Sequence, residues 1–286
     1  MFRKTFVLLV ALFTAHLFAG DAYLHTSESA QKGVAQAQIA LPKNVTGGDI
    51  YVGLFKDAPK TQAKAPVVVF LHGSSGINNK IGLDKWQEWL AKEGIASFMF
   101  DSMALENRIT YKSPADKEIY EKVHSLRSSE IKIALDALKN TEWADTSKLF
   151  LAGTSEGAVA VARYEGKDFL GKIINSWSCE ENYFVKEHKT ALNDTPVLNL
   201  VSDQDKYFSQ KNSYLGNENT TGNCAAAYGD KKNAIVLLLP NAPHTLINLP
   251  AARFATVSFI KSILEGTFDA DTIGESQLIN LRRRGL

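Results

Sequence analysis

Short apolar runs alternate along the chain with longer segments in which apolar residues recur every three or four positions. Apolar runs of about four to eight residues predict strands, and the longer periodic segments predict helices. The runs lie at 34–41, 50–55, 66–71, 95–100, 148–152, 172–177, 196–201 and 234–240. The helical patterns cover 81–92, 114–140, 155–164 and 251–264. This alternation predicts an α/β protein.

The predicted strands differ in their share of polar residues. Val67, Val68, Val69 and Phe70 form a continuous apolar run, which is typical of a strand buried on both faces. The first two runs mix polar and apolar residues, as half-exposed edge strands do, and a Gly47-Gly48 turn is expected between them. Buried strands separated by helices predict a mostly parallel central sheet with helices on both faces.

No linker rich in Pro, Gly or Ser and no internal repeat divides the chain, so we predict a single domain. The expected organisation is a signal peptide at 1–20, N-terminal strands at 21–65, an α/β core at 66–265 and a polar C-terminal tail at 266–286. Three arginines lie near the end of the tail, and a solvated or surface-packed segment is favoured over a binding patch.

The first twenty residues have the layout of a secretory signal. Arg3 and Lys4 precede an apolar stretch at 6–13, and small residues follow around Gly20. Cleavage is expected after Gly20, with positions 19 and 22 as alternatives. No second long apolar run exists, so we expect an exported protein, periplasmic or secreted, without stable membrane insertion after signal removal. An uncleaved anchor is the alternative.

Composition and charge exclude several classes of protein. Hydrophobic residues make up 45% and charged residues 22% of the 286 residues, which is ordinary globular usage. There are 32 Lys and Arg against 31 Asp and Glu, and no long run of one sign occurs. A nucleic-acid binder normally carries a basic face, so no nucleic-acid partner is expected. Signal removal would change the formal net charge from +1 to −1, because Arg3 and Lys4 leave with it.

The two cysteines, Cys179 and Cys224, are too few for a disulfide-framed fold or a Cys-rich metal site. In an oxidising compartment a pair of thiols tends to bond. Export therefore favours a disulfide between them, and two separate buried thiols are the alternative.

The candidate nucleophile is Ser155, in Gly153-Thr154-Ser155-Glu156-Gly157. This G-x-S-x-G sequence lies between a predicted buried strand and a predicted helix, the context in which a serine is exposed on a tight turn above a sheet. The glycines let neighbouring backbone pass, and the helix N-terminus supplies backbone N–H groups. A plain strand-to-helix turn with a capping serine is the alternative.

A nucleophilic serine needs a base and an acid. In serine hydrolases with this strand–turn–helix arrangement, the acid follows the serine along the chain and the histidine comes last. Only His244 lies late enough to be that histidine. The acid should follow the preceding strand, where Asp203 and Asp205 stand. Asp205 is favoured, because the first residue after a strand often stabilises the turn; Asp203 remains the alternative.

An oxyanion hole requires backbone N–H groups from two loops. One donor is expected from Glu156, directly after the serine. The other is expected from Ser74, in the Gly-rich loop His72-Gly73-Ser74-Ser75-Gly76 that follows a buried strand. His72 is interpreted as a structural residue that holds this loop.

Together these residues resemble the α/β-hydrolase superfamily and, within it, the dienelactone-hydrolase-like family. The resemblance covers roughly residues 67–264. It is carried by the 72–76 loop, Asp101-Ser102-Met103, the 153–157 turn and the Asp205 and His244 pair, and Arg127 fits a pattern seen in exported members. It implies a single-domain α/β-hydrolase fold.

The resemblance also implies an exported serine hydrolase that acts on a small-molecule ester, thioester or lactone through Ser155, His244 and Asp205. Dienelactone hydrolases proper have a cysteine where this chain has Ser155, so dienelactone is not the expected substrate. Glu156 is an unusual neighbour for the nucleophile and would disfavour anionic substrates if it faced the pocket.

The substrate is expected to be a short-chain or polar ester, because no long apolar lid segment occurs. The polar segment 206–232 carries Tyr207, Phe208, Tyr214 and Tyr228, and a pocket wall and a solvated loop are equally favoured for it. A peptidase or acyltransferase with the same triad and a catalytically silent binding protein remain alternatives. No metal-binding His pair and no phosphate-binding Gly loop ending in Lys is found, so no metal and no cofactor is expected.

Overall fold

The structure is a computed structural model that describes residues 23–77 and 79–268. The signal peptide predicted at 1–20 and the predicted tail beyond residue 268 lie outside the described residues.

The described residues form a sheet of eight strands, most of them at the apolar runs of the sequence. The strands are β1 (Gln38–Leu41), β2 (Tyr51–Leu54), β3 (Ala65–Leu71), β4 (Ala96–Met99), β5 (Ala144–Thr154), β6 (Gly171–Asn175), β7 (Val197–Ser202) and β8 (Ala234–Leu239). The helices are α1 (Ser27–Ala35), α2 (Lys43–Thr46), α3 (Leu83–Lys92), α4 (Lys117–Lys139), α5 (Glu156–Arg163), α6 (Ala225–Tyr228) and α7 (Pro250–Leu264). None of these helices is both long and apolar enough to cross a membrane.

The strand order is β2-β1-β4-β3-β5-β6-β7-β8. The six strands β4-β3-β5-β6-β7-β8 are parallel to one another. Strand β1 is antiparallel to both of its neighbours, β2 and β4. The mostly parallel sheet predicted from the sequence is confirmed. The connection after β3 leads to β4 on one side, and the connection after β5 leads to β6 on the other. A crevice opens at such a switch point, at the carboxyl ends of the strands.

Helices cover both faces of the sheet, as predicted. The side chains of β3 alternate between two apolar clusters, because successive residues of a strand point to opposite faces. Val67, Val69 and Leu71 belong to the cluster that includes α4 and α5. Val68 and Phe70 belong to the cluster that includes α3 and α7. Burial of β3 on both faces explains its uninterrupted apolar sequence.

The predicted strand at 34–41 is wrong in its first part, because residues 27–35 form α1 instead. Thr26 begins this helix with a capping box, in which Thr26 and Ser29 each bond the other's backbone N–H. Gly33 packs so closely on the Phe100 ring that a Cβ atom would lie 2.3 Å from it. The N-terminal region therefore holds helices as well as the two predicted strands, and α2 lies where a simple turn was expected.

A disulfide joins Cys179, which follows β6, to Cys224, which precedes α6. Both residues are buried. The bond ties the long connection between β7 and β8 to the loop after β6.

Candidate active site

The turn between β5 and α5 holds Ser155 at φ +53° and ψ −119°. A positive φ is uncommon for a residue with a side chain and persists only where the surroundings enforce it. The Ser155 N–H donates to the Asn175 carbonyl at 3.0 Å. The Asn175 side-chain amide donates to the Gly153 carbonyl at 3.1 Å. These two bonds to β6 hold the sharp turn in place.

Two glycines allow the same turn to pass close to β3. A Cβ atom on Gly157 would lie 2.2 Å from the Leu71 carbonyl oxygen, and one on Gly153 would lie 2.8 Å from the Gly157 backbone. Non-bonded atoms cannot approach so closely, so both positions require glycine. This is the steric role that the G-x-S-x-G pattern predicts.

His244 and Asp205 form a direct pair beside this turn. The His244 Nδ1 lies 2.7 Å from the Asp205 Oδ2. The other carboxylate oxygen accepts hydrogen bonds from the backbone N–H groups of Tyr207 at 2.8 Å and Phe208 at 3.0 Å. The Asp205 side chain is 1% exposed. These three contacts fix the orientation of the Asp205 carboxylate. The carboxylate can therefore hold the imidazole with Nδ1 protonated and Nε2 free to accept a proton.

Asp203, the alternative acid, has a different environment. It is exposed, and its Oδ1 accepts a hydrogen bond from the Asn241 N–H at 2.7 Å. It therefore joins the turn after β7 to the turn after β8. The structure brings Asp205, and not Asp203, to His244.

A cavity of about 750 Å³ opens above the carboxyl ends of the strands, and both Ser155 and His244 line it. The Ser155 side chain makes no capping hydrogen bond to α5, which is the alternative role that the sequence left open for it. Part of the wall is aromatic, and the Phe and Tyr residues that line it are Tyr111, Tyr183, Phe184, Tyr207, Phe208 and Tyr214.

The loop after β3 brings Ser74 to the cavity that Ser155 also lines. Gly73 in this loop lies directly beside the Ser155 turn, since a Cβ atom there would be in ordinary van der Waals contact with the Ser155 Cβ at 3.5 Å. His72 holds the loop: its Nδ1 lies 2.7 Å from the Gly73 carbonyl, and its Nε2 accepts the Ser102 N–H at 3.1 Å. These partners assign the neutral tautomer with the proton on Nδ1. Burial and the nearby Arg127 guanidinium hold the pKa of His72 well below its usual range.

The Glu156 side chain turns away from the cavity and into a buried set of charged residues. Its Oε1 lies 2.7 Å from Arg108 Nη2 and 3.7 Å from Arg127 Nε. Its Oε2 accepts the Tyr111 hydroxyl proton at 2.9 Å. Glu156 is fully buried. The sequence-based concern that this carboxylate would repel anionic substrates does not hold, because two guanidinium groups neutralise it inside the protein.

The same set of charges extends to the helices behind the cavity. Arg127 Nε lies 3.2 Å from Glu130 Oε2, and Arg127 Nη2 donates to the His72 carbonyl at 2.9 Å. His25 Nε2 lies 3.2 Å from Glu130 Oε1. We call Arg108, Arg127, Glu130 and Glu156 the buried charge cluster. Two positive and two negative groups balance, which is the condition under which buried charges are tolerated.

The segment 206–232 contributes to the cavity with part of its length. Tyr207, Phe208 and Tyr214 line the cavity, whereas Tyr228 is buried in the apolar core on α6. The His244 ring lies 4.6 Å from the Tyr207 ring, edge to face. The segment therefore forms a wall next to His244, one of the two interpretations that the sequence left open.

Sequence reasoning missed Arg108 and Tyr111, which lie in the loop between β4 and α4, and Glu130 in α4. Their partners are distant along the chain, so no local pattern indicates them. Glu156 is the one member of this set that the sequence analysis singled out. A carboxylate at the first residue of a helix that packs against a sheet needs a positively charged partner if it is buried, so Glu156 could have indicated a buried arginine. Within the described ranges, no group of three or more His, Cys, Asp or Glu residues is placed to hold a metal ion.

No protein-family model matches the chain, and no curated protein matches it. Solved structures do match. Est1E from Butyrivibrio proteoclasticus with ferulic acid bound has a TM-score of 0.50 at 17% identity, covering 80% of this chain and 94% of that one. A dienelactone hydrolase-like protein from Klebsiella pneumoniae has a TM-score of 0.50 at 13% identity, covering 79% and 98%.

A puromycin-hydrolyzing peptidase from Mycobacterium tuberculosis has a TM-score of 0.51 at 17% identity, covering 80% of this chain and 37% of that one. At such identities the likeness concerns the fold. The chain has the α/β-hydrolase fold in a single domain, and its structural neighbours include esterases and dienelactone hydrolase-like proteins.

The buried charge cluster generates a prediction about stability. Arg127→Met removes the guanidinium between Glu130 and Glu156 and leaves both fully buried carboxylates short of positive charge. We expect the free energy of unfolding to fall by about 3–5 kcal/mol, measured by urea denaturation.

The control is Lys132→Met on the same helix, because Lys132 pairs with Asp136 where both side chains are exposed. A loss of about 1 kcal/mol is expected there. Equal losses in the two variants would contradict the assigned role of the cluster.

Proposed function

We propose that the protein is a serine hydrolase that cleaves a short-chain or polar carboxylic ester, thioester or lactone. The observation that carries the proposal is the buried Asp205–His244 pair at 2.7 Å, on the same cavity as a serine in a strained turn. A serine, an imidazole and an orienting carboxylate are the groups that acyl transfer through a covalent intermediate requires.

In the proposed reaction, His244 Nε2 accepts the proton of Ser155 as Oγ attacks the substrate carbonyl. The protonated imidazole then gives this proton to the leaving alcohol, and an acyl-enzyme remains. His244 next takes a proton from water as the water oxygen attacks the acyl carbonyl. The protonated imidazole then returns this proton to Ser155 Oγ as the bond between Oγ and the acyl carbon breaks and the acid leaves. Asp205 keeps Nδ1 protonated and stabilises the imidazolium in both halves of the reaction.

The backbone N–H groups of Glu156 and Ser74 are the proposed donors to the oxyanion. Glu156 is the first residue of α5, and the first N–H groups of a helix have no partner inside the helix. Ser74 lines the same cavity, on the loop that His72 holds. Donors preorganised in this way stabilise the charge that develops in the transition state, each by about 3 kcal/mol.

The cavity wall supports a polar or short acyl group. Its described lining residues include Lys112, Lys206 and several serine and tyrosine hydroxyls, and no Asp or Glu is among them. Because the Glu156 charge is compensated within the protein, the cavity accepts neutral and anionic esters. We therefore expect short neutral esters and esters with a carboxylate to be cleaved faster than long-chain ones.

We further propose that the protein is exported and matures by removal of residues 1–20. Arg3 and Lys4 before the apolar stretch support a signal peptide. The bond between Cys179 and Cys224 supports an oxidising compartment, because disulfides persist there and are rare in reducing ones.

Ser155→Ala removes the proposed nucleophile, and we expect at least a 10⁴-fold loss of kcat, on the order of losses known for serine nucleophiles. The measurement is hydrolysis of p-nitrophenyl esters of increasing acyl length.

Unchanged turnover in the variant would contradict the assignment of Ser155 as the nucleophile, and a preference for long acyl chains would contradict the proposed substrate class. Hydrolysis of amides instead of esters would indicate a peptidase, and failure of Ser155 to react with a fluorophosphonate probe would indicate a silent binding protein.

The two candidate acids offer a matched pair of variants. Asp205→Asn leaves the shape but not the charge that holds His244, so kcat should fall by about 10³ to 10⁴-fold. Asp203→Asn keeps a carbonyl that can accept the Asn241 N–H, so kcat should change by no more than about twofold. The reverse ranking of the two variants would assign the acid to Asp203.

Export predicts a defined N-terminus. In the cells that produce it, the protein recovered from the periplasm or medium should begin at Asp21, or close to it, and should show no free thiol by mass spectrometry. Recovery of the intact chain from Met1 in the membrane fraction would contradict cleavage and favour an anchor.

A further inference from the structure

Tyr111 lies between the two loops that carry the proposed oxyanion donors, although it belongs to neither. Its hydroxyl donates to Glu156 Oε2 at 2.9 Å. Ser74, on the loop after β3, lines the same cavity as Tyr111, and its side chain is close enough to lower the pKa of the Tyr111 phenol by hydrogen bonding. The tyrosine also lines the cavity. One side chain from the loop between β4 and α4 thus reaches the turn after β5 and the loop after β3.

The direction of these hydrogen bonds is fixed by the chemistry of the groups. Burial, followed by the nearby Glu156 carboxylate, raises the pKa of Tyr111 above its usual range. The phenol therefore keeps its proton at any working pH. A carboxylate only accepts hydrogen bonds, so the Tyr111 proton goes to Glu156, and the oxygen lone pairs remain for Ser74.

The partners of Glu156 differ in how strictly they orient it. Arg108 and Arg127 compensate its charge, and Arg127 does so at 3.7 Å, beyond hydrogen-bond distance. Tyr111 offers a single O–H on a rigid ring. That ring is packed edge to face against Tyr120 at 4.9 Å and Phe184 at 5.8 Å between centroids. The hydroxyl therefore has a defined position from which it holds the carboxylate.

We propose that Tyr111 is a positioning residue that sets the oxyanion hole, by holding Glu156 and Ser74 so that their backbone N–H groups point to one place in the cavity. For its kinetic consequence this inference rests on the proposed hydrolase function. A donor stabilises the oxyanion only if it is aimed at the position that the charged oxygen occupies in the transition state. A displacement of about 1 Å can cost about 100-fold in rate.

The test compares Tyr111→Phe with Tyr120→Phe. Both variants lose one tyrosine hydroxyl from neighbouring rings. The Tyr120 hydroxyl bonds Ser113 at 3.0 Å and the Ala115 N–H at 2.9 Å, on the loop that carries Tyr111, and touches neither proposed donor. For Tyr111→Phe we expect kcat to fall about 10 to 100-fold with KM within about twofold, because the lost interaction matters in the transition state. Tyr120→Phe should leave both constants within about twofold.

Each other kinetic outcome overturns the proposal. A higher KM with unchanged kcat would mean that Tyr111 binds the substrate directly. Equal losses in the two variants would mean a general effect on the loop. Unchanged kinetics in Tyr111→Phe would mean that the guanidinium groups alone orient Glu156.

A second measurement does not depend on ester turnover. Hydrogen exchange followed by mass spectrometry should show faster exchange in peptides covering residues 72–77 and 153–158 of Tyr111→Phe, and wild-type exchange in Tyr120→Phe. Unchanged exchange in both peptides would overturn the positioning role. The hydrolase function is decided separately: if the wild-type protein cleaves no ester, or Ser155→Ala retains activity, that function fails, and the exchange data alone decide whether Tyr111 holds the two loops.

Discussion

The pairing of Arg108 and Arg127 with Glu130 and Glu156 is the interaction on which the site depends. Each of these side chains is nearly or fully removed from water, so none of the four charges is tolerable without the others. The partners come from α4, from the loop after β4 and from the first residue of α5. Arg127 also bonds the backbone of the loop after β3. Charge balance therefore holds the loop after β4 and the start of α5 against α4, and the Arg127 bond to the His72 carbonyl adds the loop after β3. These segments meet at the edge of the sheet where the cavity opens.

The parallel sheet supplies the second constraint. Strands β3, β5 and β7 run in one direction, so the residues that follow them arrive at the same edge. The turn at Ser155 must also cross within backbone contact of β3, which the two flanking glycines allow. The neighbouring strands therefore maintain the positive φ of Ser155. Strand β6 holds the turn by two hydrogen bonds, and β3 packs directly against its backbone.

These constraints explain how much the sequence predicts. The β3 run and the G-x-S-x-G turn are local patterns that report burial and steric limits directly, and they place the sheet and Ser155 correctly. Asp205 follows β7 and His244 follows β8, and these two strands are parallel neighbours in the sheet. The sequence can therefore predict that the two side chains meet, as they do at 2.7 Å. Helix α1 is missed because residues 27–33 include no large apolar side chain, so they show no helical periodicity. Its last two residues, 34 and 35, belong to the apolar run that predicts the strand β1. Arg108 and Tyr111 are missed because burial, and not spacing, pairs them with Glu156.

The disulfide adds a link between chemistry and compartment. Cys224 lies within the segment 206–232, part of which forms the cavity wall beside His244. Cys179 follows the strand that holds the Ser155 turn. Closing a loop with a sequence separation of 45 residues stabilises a fold by about 4 kcal/mol in the chain-entropy model, which is a large share of the roughly 5–15 kcal/mol by which a domain is stable. The order of this wall is therefore coupled to the oxidation state of two sulfur atoms, so the same chain held in a reducing environment would carry its serine and histidine beside a less well-ordered wall.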